Sequence, residues 1–227
     1  MAFTKHIPNT VTSMNLLAGC MGVVFTFEGK LEAAFIFMLA AAVFDFCDGL
    51  AARMLGAYSP IGKELDSLCD VVSFGVLPSL MLLAGMQGWL RFLPLVLAVC
   101  SALRLAKFNV DEEQGHDFLG LPTPASAMVA GSLAALAGFV PWIQAQAQWL
   151  FPLTALALGL LTVSRVPMFG MKIAPGEKLL DAKRVAFLCL AAAAVLAVVL
   201  LRLHWSAAPL LIFLAYIIEN LILSLKK

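Results

Sequence analysis

Apolar runs of membrane-spanning length dominate this sequence. About 20 residues of helix are needed to cross roughly 30 Å of hydrocarbon, and stretches of that kind fall at about 10–27, 31–52, 67–86, 88–107, 123–141, 148–166, 184–203 and 207–225. Of the 227 residues, 62% are hydrophobic and 13% charged, against about half and about a quarter in soluble domains. A water-soluble bundle would need polar faces recurring at the helical period, and segments such as Leu188–Leu201 carry none. The expected fold is all-α, a polytopic transmembrane bundle of about eight helices. With no repeat, low-complexity tract or linker to divide it, the chain reads as a single integral membrane domain over 1–227.

Orientation follows from the fifteen Lys and Arg, because cytoplasmic loops keep an excess of them. With the N-terminus inside, Lys5, Arg53, Lys63, Arg104, Lys107, Arg165, Lys172, Lys178, Lys183, Arg184, Lys226 and Lys227 fall on the cytoplasmic side, and only Lys30, Arg91 and Arg202 fall outside. Both termini are expected in the cytoplasm and the protein in the cytoplasmic membrane. Residues 1–9 hold one Lys and no small-residue cleavage site, so no cleaved signal peptide is expected. Cys20, Cys47, Cys69, Cys100 and Cys189 are scattered without a C-x2-C pair and suggest neither a zinc site nor a disulfide framework. A net charge of +1 argues against nucleic acid as a partner.

Against this apolar background, Asp45, Asp48, Glu64, Asp66 and Asp70 crowd into 26 positions where the second and third helices join. An Asp at a helix centre costs about 2.5–3.5 kcal/mol to insert, less near an interface, so something must offset the cost. Asp45, Asp48, Gly49 and Ala52 stand at i, i+3, i+4 and i+7 on one face, flanked by Arg53. Gly62, Asp66 and Asp70, spaced by four, share a face of the next helix, and the glycine leaves room for a close approach by a helix or a ligand. Where those faces meet, four carboxylates converge, and they repel one another unless protonated or bridged by cations. Hard oxygen ligands suit Mg2+, Mn2+ or Ca2+, one or two of them, rather than zinc or copper. Pairing with Arg53 and Lys63, or exposure to cytosolic water, would satisfy one or two of these aspartates and leave at least two.

Residues 45–70 run D-F-C-D-G-L-A-A-R, eight residues, then G-K-E-L-D-S-L-C-D. This string resembles the signature D-x2-D-G-x2-A-R-x8-G-x3-D-x3-D of the CDP-alcohol phosphatidyltransferases, with each of its fixed positions present. The resemblance implies that Asp45, Asp48 and Asp66 hold one or two divalent cations, and that Asp70 touches a cation and acts as general base. It implies too that Gly49 and Arg53 contact the CDP moiety, that Ser59 and Gly62 border the same nucleotide, and that the protein is a homodimer. The chemistry agrees with these roles, because attack by an alcohol on a pyrophosphate needs charge neutralisation, in-line positioning and removal of a proton, and Arg53 offers a fork for phosphate oxygens. A related route through a phosphohistidine, with an H-x-K-x4-D motif, is excluded because His6, His116 and His204 lack a Lys two residues on.

The signature leaves the acceptor alcohol open. Ile7–Gly19 (I-P-N-T-V-T-S-M-N-L-L-A-G), Arg104–Val110 (R-L-A-K-F-N-V) and Phe118–Ala127 (F-L-G-L-P-T-P-A-S-A) resemble the bacterial and archaeal phosphatidylserine synthases of the superfamily. The substrates so implied are CDP-diacylglycerol and L-serine, and Arg104, Lys107 and Asn109 become candidates to hold the acceptor's carboxylate. Arg104 and Lys107 also read as positive residues snorkelling at a helix end. Asn9, Thr12 and Asn15 either line the nucleotide site or cap the first helix and bond its neighbours. Asp111–Asp117 reads as a solvated loop, and Glu219 inside the last helix has no role in this scheme. Glycerol 3-phosphate, inositol, inositol phosphate and choline are the competing acceptors. A divalent-cation transporter is the rival of another class, though it would be expected to carry its charges near the midplane.

Overall fold

A computed structural model describes residues 6–110, 118–168 and 182–225. The solvated loop expected at Asp111–Asp117 lies outside these, as do Lys5, Lys172, Lys178, Lys226 and Lys227. Eight helices follow one another: α1 Ile7–Phe27, α2 Leu31–Leu55, α3 Pro60–Ala84, α4 Trp89–Val110, α5 Thr123–Ala137, α6 Pro141–Val163, α7 Ala182–Leu200 and α8 Ala207–Leu225. Six of them, α1 to α4, α6 and α8, are long and apolar enough to cross a membrane. Large apolar side chains such as Val43, Phe46, Leu160, Ile218 and Ile222 stand exposed along their outer faces. In water such faces would drive aggregation; in a bilayer they are the solvent-exposed surface.

The helices match the eight expected spans, with differences at the ends that have simple causes. Helices α3 and α6 each begin seven residues before the apolar stretch, because Ile61–Leu65 and Trp142–Gln148 continue the helix with polar residues. Helix α5, at 15 residues, is about 22 Å long. Every residue in it except Pro124 is buried, since it runs through the centre of the bundle against α2, α3, α6 and α8. Gly131 permits that placement, because a Cβ there would overlap the side chain of Met38 on α2.

Two further features have no signature in the hydropathy pattern. Val71–Val76 winds as a π-helical turn in mid-α3, and Phe118–Leu119 pairs antiparallel with Pro167–Met168 as short strands β1 and β2. That pairing pins the segment before α5 onto the end of α6, with Gly120 at φ +80° donating to the Val166 carbonyl at 2.9 Å.

The joint between α2 and α3 decides where the carboxylates go. Helix α2 stops at Gly56, whose φ of +57° is the left-handed conformation that closes a helix C-terminus, and Ala57 N–H returns to the Ala52 carbonyl at 3.0 Å. Three residues on, Ser59 Oγ accepts from Gly62 N–H at 3.0 Å, and Pro60 occupies the first helical position of α3. A tight turn with both caps supplied by sequence thus folds the C-terminal end of α2 beside the N-terminal half of α3.

Candidate active site

Asp45, Asp48 and Asp66 each offer a carboxylate oxygen, and the three atoms lie within 4.8 Å of one another. Oxygens bound at 2.0–2.6 Å to one Mg2+ or Ca2+ are about 3–5 Å apart, so this spacing suits a shared hard cation. Asp48 is 6% exposed, and its Oδ2 is buried with no hydrogen-bond partner among the described residues. A buried anionic oxygen left in that state is costly, and a dication held by the trio would satisfy it. The donor set is all carboxylate, which selects Mg2+, Mn2+ or Ca2+ over softer metals.

Asp70, the fourth carboxylate of the signature, stands apart from that trio. It is 7% exposed, near enough to Asp45, Asp66 and Asp48 to be repelled by them, and its Oδ1 accepts from Asn15 Nδ2 at 3.2 Å. Asn15 comes from α1, which crosses α3 closely at this level. Gly19 makes the crossing possible, since a Cβ there would overlap the Ser73 hydroxyl. That hydroxyl donates to the Asn15 carbonyl at 3.2 Å.

A cavity of about 540 Å3 opens beside the carboxylates, lined by Asn9, Thr12, Asp48, Gly49, Ser59, Gly62, Lys63 and Asp66. Five of the residues expected to border the nucleotide, Asn9, Thr12, Gly49, Ser59 and Gly62, are therefore gathered around one space. Thr12, buried beside Asp48, gives its hydroxyl to the Pro8 carbonyl at 3.0 Å. A Cβ added at Gly49 would meet nothing closer than Arg53 Nη2 at 4.0 Å, so that position faces open space. At Gly62 a Cβ would press on Asn9 Oδ1 and Ser59 Oγ, both at 3.0 Å. Arg53 does not line this cavity; its Nε donates to the Gly49 carbonyl of its own helix at 3.0 Å and the side chain is exposed. Ser59 serves two ends at once, as the α3 cap and as cavity wall.

A second cavity, of about 490 Å3, lies between the C-terminal ends of α4 and α6. Arg104, Lys107 and Arg165 bring three cations to it, with Thr162 and Ser164, and Phe108 lines both cavities. Arg104 Nη1 donates to Thr123 Oγ1 at 3.0 Å, while its Nε is buried without a partner among the described residues. Arg104 also lies within electrostatic range of Asp70 and of Tyr216 on α8. Asn109 does not join this group. Its amide donates to Glu64 Oε2 at 3.1 Å and to Ser67 Oγ at 3.0 Å, and its carbonyl accepts from Lys63 Nζ at 3.1 Å, which ties α4 to α3.

Arg165 and Thr123 escape sequence reasoning as site residues. A lone Arg after an apolar helix looks like any positive-inside residue, and a Thr at a helix start looks like a cap. Asn15 was legible only as a polar residue in an apolar helix.

Helices that carry these groups enter the site from one end of the bundle, which defines a small class of membrane enzyme rather than a generic bundle. The family model for CDP-alcohol phosphatidyltransferase matches residues 5–162, and the chain belongs to that family. It is 36% identical over 203 residues to the CDP-diacylglycerol–serine O-phosphatidyltransferase of Mycobacterium leprae, which covers 83% of this chain and 66% of that protein. Its counterpart in Mycobacterium tuberculosis is 36% identical over 211 residues, covering 86% of this chain and 72% of the relative. The archaetidylserine synthase of Methanothermobacter thermautotrophicus is 35% identical over 139 residues, 59% of each chain.

Proposed function

We propose that the chain transfers the phosphatidyl group of CDP-diacylglycerol to the hydroxyl of L-serine, giving phosphatidylserine and CMP. The observation that carries this reading is the adjacency of two cavities of opposite character. One is walled by carboxylates and small residues, the other by three cations, and Phe108 lines both.

In this scheme the CDP portion occupies the cavity bordered by Asn9, Thr12, Gly49, Ser59 and Gly62, with its pyrophosphate at Asp45, Asp48 and Asp66. Asp45, Asp48 and Asp66 would hold a divalent cation, which when bound would supply neutralisation of the pyrophosphate charge. Arg53, exposed at the rim, is free to swing from its own helix onto the nucleotide phosphates. Arg104, Lys107 and Arg165 bind the serine carboxylate, and Asn109 holds α4 against α3 so that the two cavities keep their register. Asp70 accepts the hydroxyl proton as the serine oxygen bonds to the lipid-bearing phosphorus and the bond to CMP breaks. The same reading makes residues 1–227 one catalytic domain in the cytoplasmic membrane, with termini and site on the cytoplasmic face, and the working unit a homodimer.

The test is CMP release by purified protein given CDP-diacylglycerol and Mg2+ or Mn2+, with L-serine, glycerol 3-phosphate, inositol or choline supplied separately. Release that needs serine and metal, and is lost in Asp70→Asn, supports the reading. Release with another acceptor keeps the donor chemistry and removes the serine assignment.

A further inference from the structure

We infer that Asn15 is a positioning residue for the reaction, acting through Asp70. This rests on the reading of Asp70 as the base that takes the acceptor's proton.

Without help, Asp70 would not hold one orientation. Three neighbouring carboxylates, Asp45, Asp66 and Asp48, repel it, and it sits 7% exposed where water cannot hold it. A base that must meet a hydroxyl within hydrogen-bond reach has to keep one orientation against that repulsion. The Asn15 amide supplies the hold, with Nδ2 donating to Asp70 Oδ1 at 3.2 Å. Engaging one oxygen fixes the rotation of the carboxylate and leaves the other, Oδ2, for the substrate.

Asn15 is an expensive residue for mere packing. It is fully buried, and its own Oδ1 has no hydrogen-bond partner among the described residues. An apolar residue of the same size would fill the space without stranding an acceptor. The local backbone is also arranged around it. Gly19, one turn along α1, lets the helices close. Ser73, inside the π-helical turn that begins right after Asp70, donates to the Asn15 carbonyl at 3.2 Å. A π turn shifts the register of every residue beyond it, so Ser73 meets α1 there while Asp70 keeps its place beside Asn15.

The experiment measures kcat and KM for CMP release by the full chain, in parallel with thermal melting of the purified protein. The variants are Asn15→Leu, which removes the donor at constant size, Asn15→Asp, which reverses its polarity, and Ser73→Ala, which loosens the same helix crossing without touching Asp70. Loss of orientation of a reacting group costs on the order of 10²-fold. We expect kcat to fall by about that factor in both Asn15 variants, with KM for CDP-diacylglycerol changed less than about threefold, while Ser73→Ala lowers the melting temperature and keeps its kcat. Folded Asn15 variants with near-normal kcat, equal losses in Ser73→Ala, or failure of both Asn15 variants to fold would each overturn the inference in favour of a structural role. In those cases Asp70→Asn stays inactive and the proposed function stands. A wild-type protein that releases no CMP with any acceptor would instead sink the proposed function, and this inference with it.

Discussion

Asp48 shows how much a single side chain constrains the site. Its carboxylate is buried in a helix that faces lipid on its other side, with one oxygen unmatched. An uncompensated buried carboxylate is strongly destabilising, and a bound cation would complete it. Asp48→Asn keeps the shape and removes one of the three negative charges offered to a cation. We expect CMP release at saturating Mg2+ to drop at least about 100-fold, a loss of about 2.7 kcal/mol or more in transition-state stabilisation. Residual activity within about threefold of wild type would show that the trio is not the metal site. Arg104 is the matching case in the cavity proposed for the acceptor. It spends Nη1 on Thr123 and keeps Nε buried and unmatched, a geometry that only a planar fork fills. Lys in its place keeps the charge and loses the fork. A charge-assisted hydrogen bond contributes about 1.5–3 kcal/mol. Arg104→Lys should therefore raise the serine KM by about tenfold or more and leave the CDP-diacylglycerol KM nearly unchanged, as initial-rate measurements with each substrate varied in turn will report. The convergence of Asp45, Asp48 and Asp66 was legible beforehand in their fixed spacing, because i, i+3 and i+4 offsets place carboxylates on helix faces whatever the rest of the chain does. The partners were not legible, because Asn15 lies 55 residues from Asp70 and Thr123 lies 19 from Arg104 across a loop, while Arg165 follows a different helix, and one chain carries no pattern that pairs them.

Elements, more than residues, decide whether the two cavities stay next to each other. The eight helices could be drawn from hydropathy because lipid demands long apolar runs. Their ends could not, because polar turns of helix beyond the membrane look like loops in a hydropathy window, as Pro60–Leu65 and Trp142–Gln148 show. Nor does hydropathy distinguish α5, which is sheathed by protein, from α1 or α8, which face lipid. The π turn after Asp70 and the β1–β2 pair were invisible for a different reason: each depends on a tertiary contact, with α1 for the first and with α6 for the second. The second of these has a measurable consequence. Gly120 sits at φ +80°, and a Cβ there would press into the Thr162 and Ser164 carbonyls, the latter at 2.9 Å. Those two residues line the cationic cavity along with Arg165. Gly120→Ala combines a left-handed backbone penalty of about 1 kcal/mol with that overlap. It should lower the melting temperature in detergent by several degrees and raise the serine KM, with the metal dependence of CMP release unchanged. A variant with unaltered melting and unaltered KM would show that the β1–β2 pair does not hold the cavity.

At the scale of the whole molecule, charge and aromatic residues separate between the two ends of the bundle, and this predicts how it sits in the membrane. The first turns of α1, α3 and α5 and the last turns of α2, α4 and α6 meet at the site end, which carries Arg53, Lys63, Arg104, Lys107 and Arg165. The opposite end holds Trp89, Trp142 and Trp205 at the starts of α4, α6 and α8, the level at which interfacial aromatics anchor. There Glu32 at the start of α2 accepts from Trp205 Nε1 at 2.7 Å and lies 3.3 Å from His204 Nε2, a clasp joining α2 to the turn before α8. Cations concentrate on the site end, so the positive-inside bias predicts a cytoplasmic location for that end, the side from which the proposed serine would enter and the proposed CMP would leave. The measurement uses two single-cysteine proteins, Met54→Cys near the site end of α2 and Glu28→Cys at the far end of α1. Both are made after Cys20, Cys47, Cys69, Cys100 and Cys189 are replaced, so that only the new thiol reports. A membrane-impermeant maleimide added to intact cells should label the Glu28→Cys protein, and should label the Met54→Cys protein only once the cells are opened. The reverse pattern would put the aspartates outside the cell, away from the CDP-linked lipid and the charged pool of acceptor they are proposed to join.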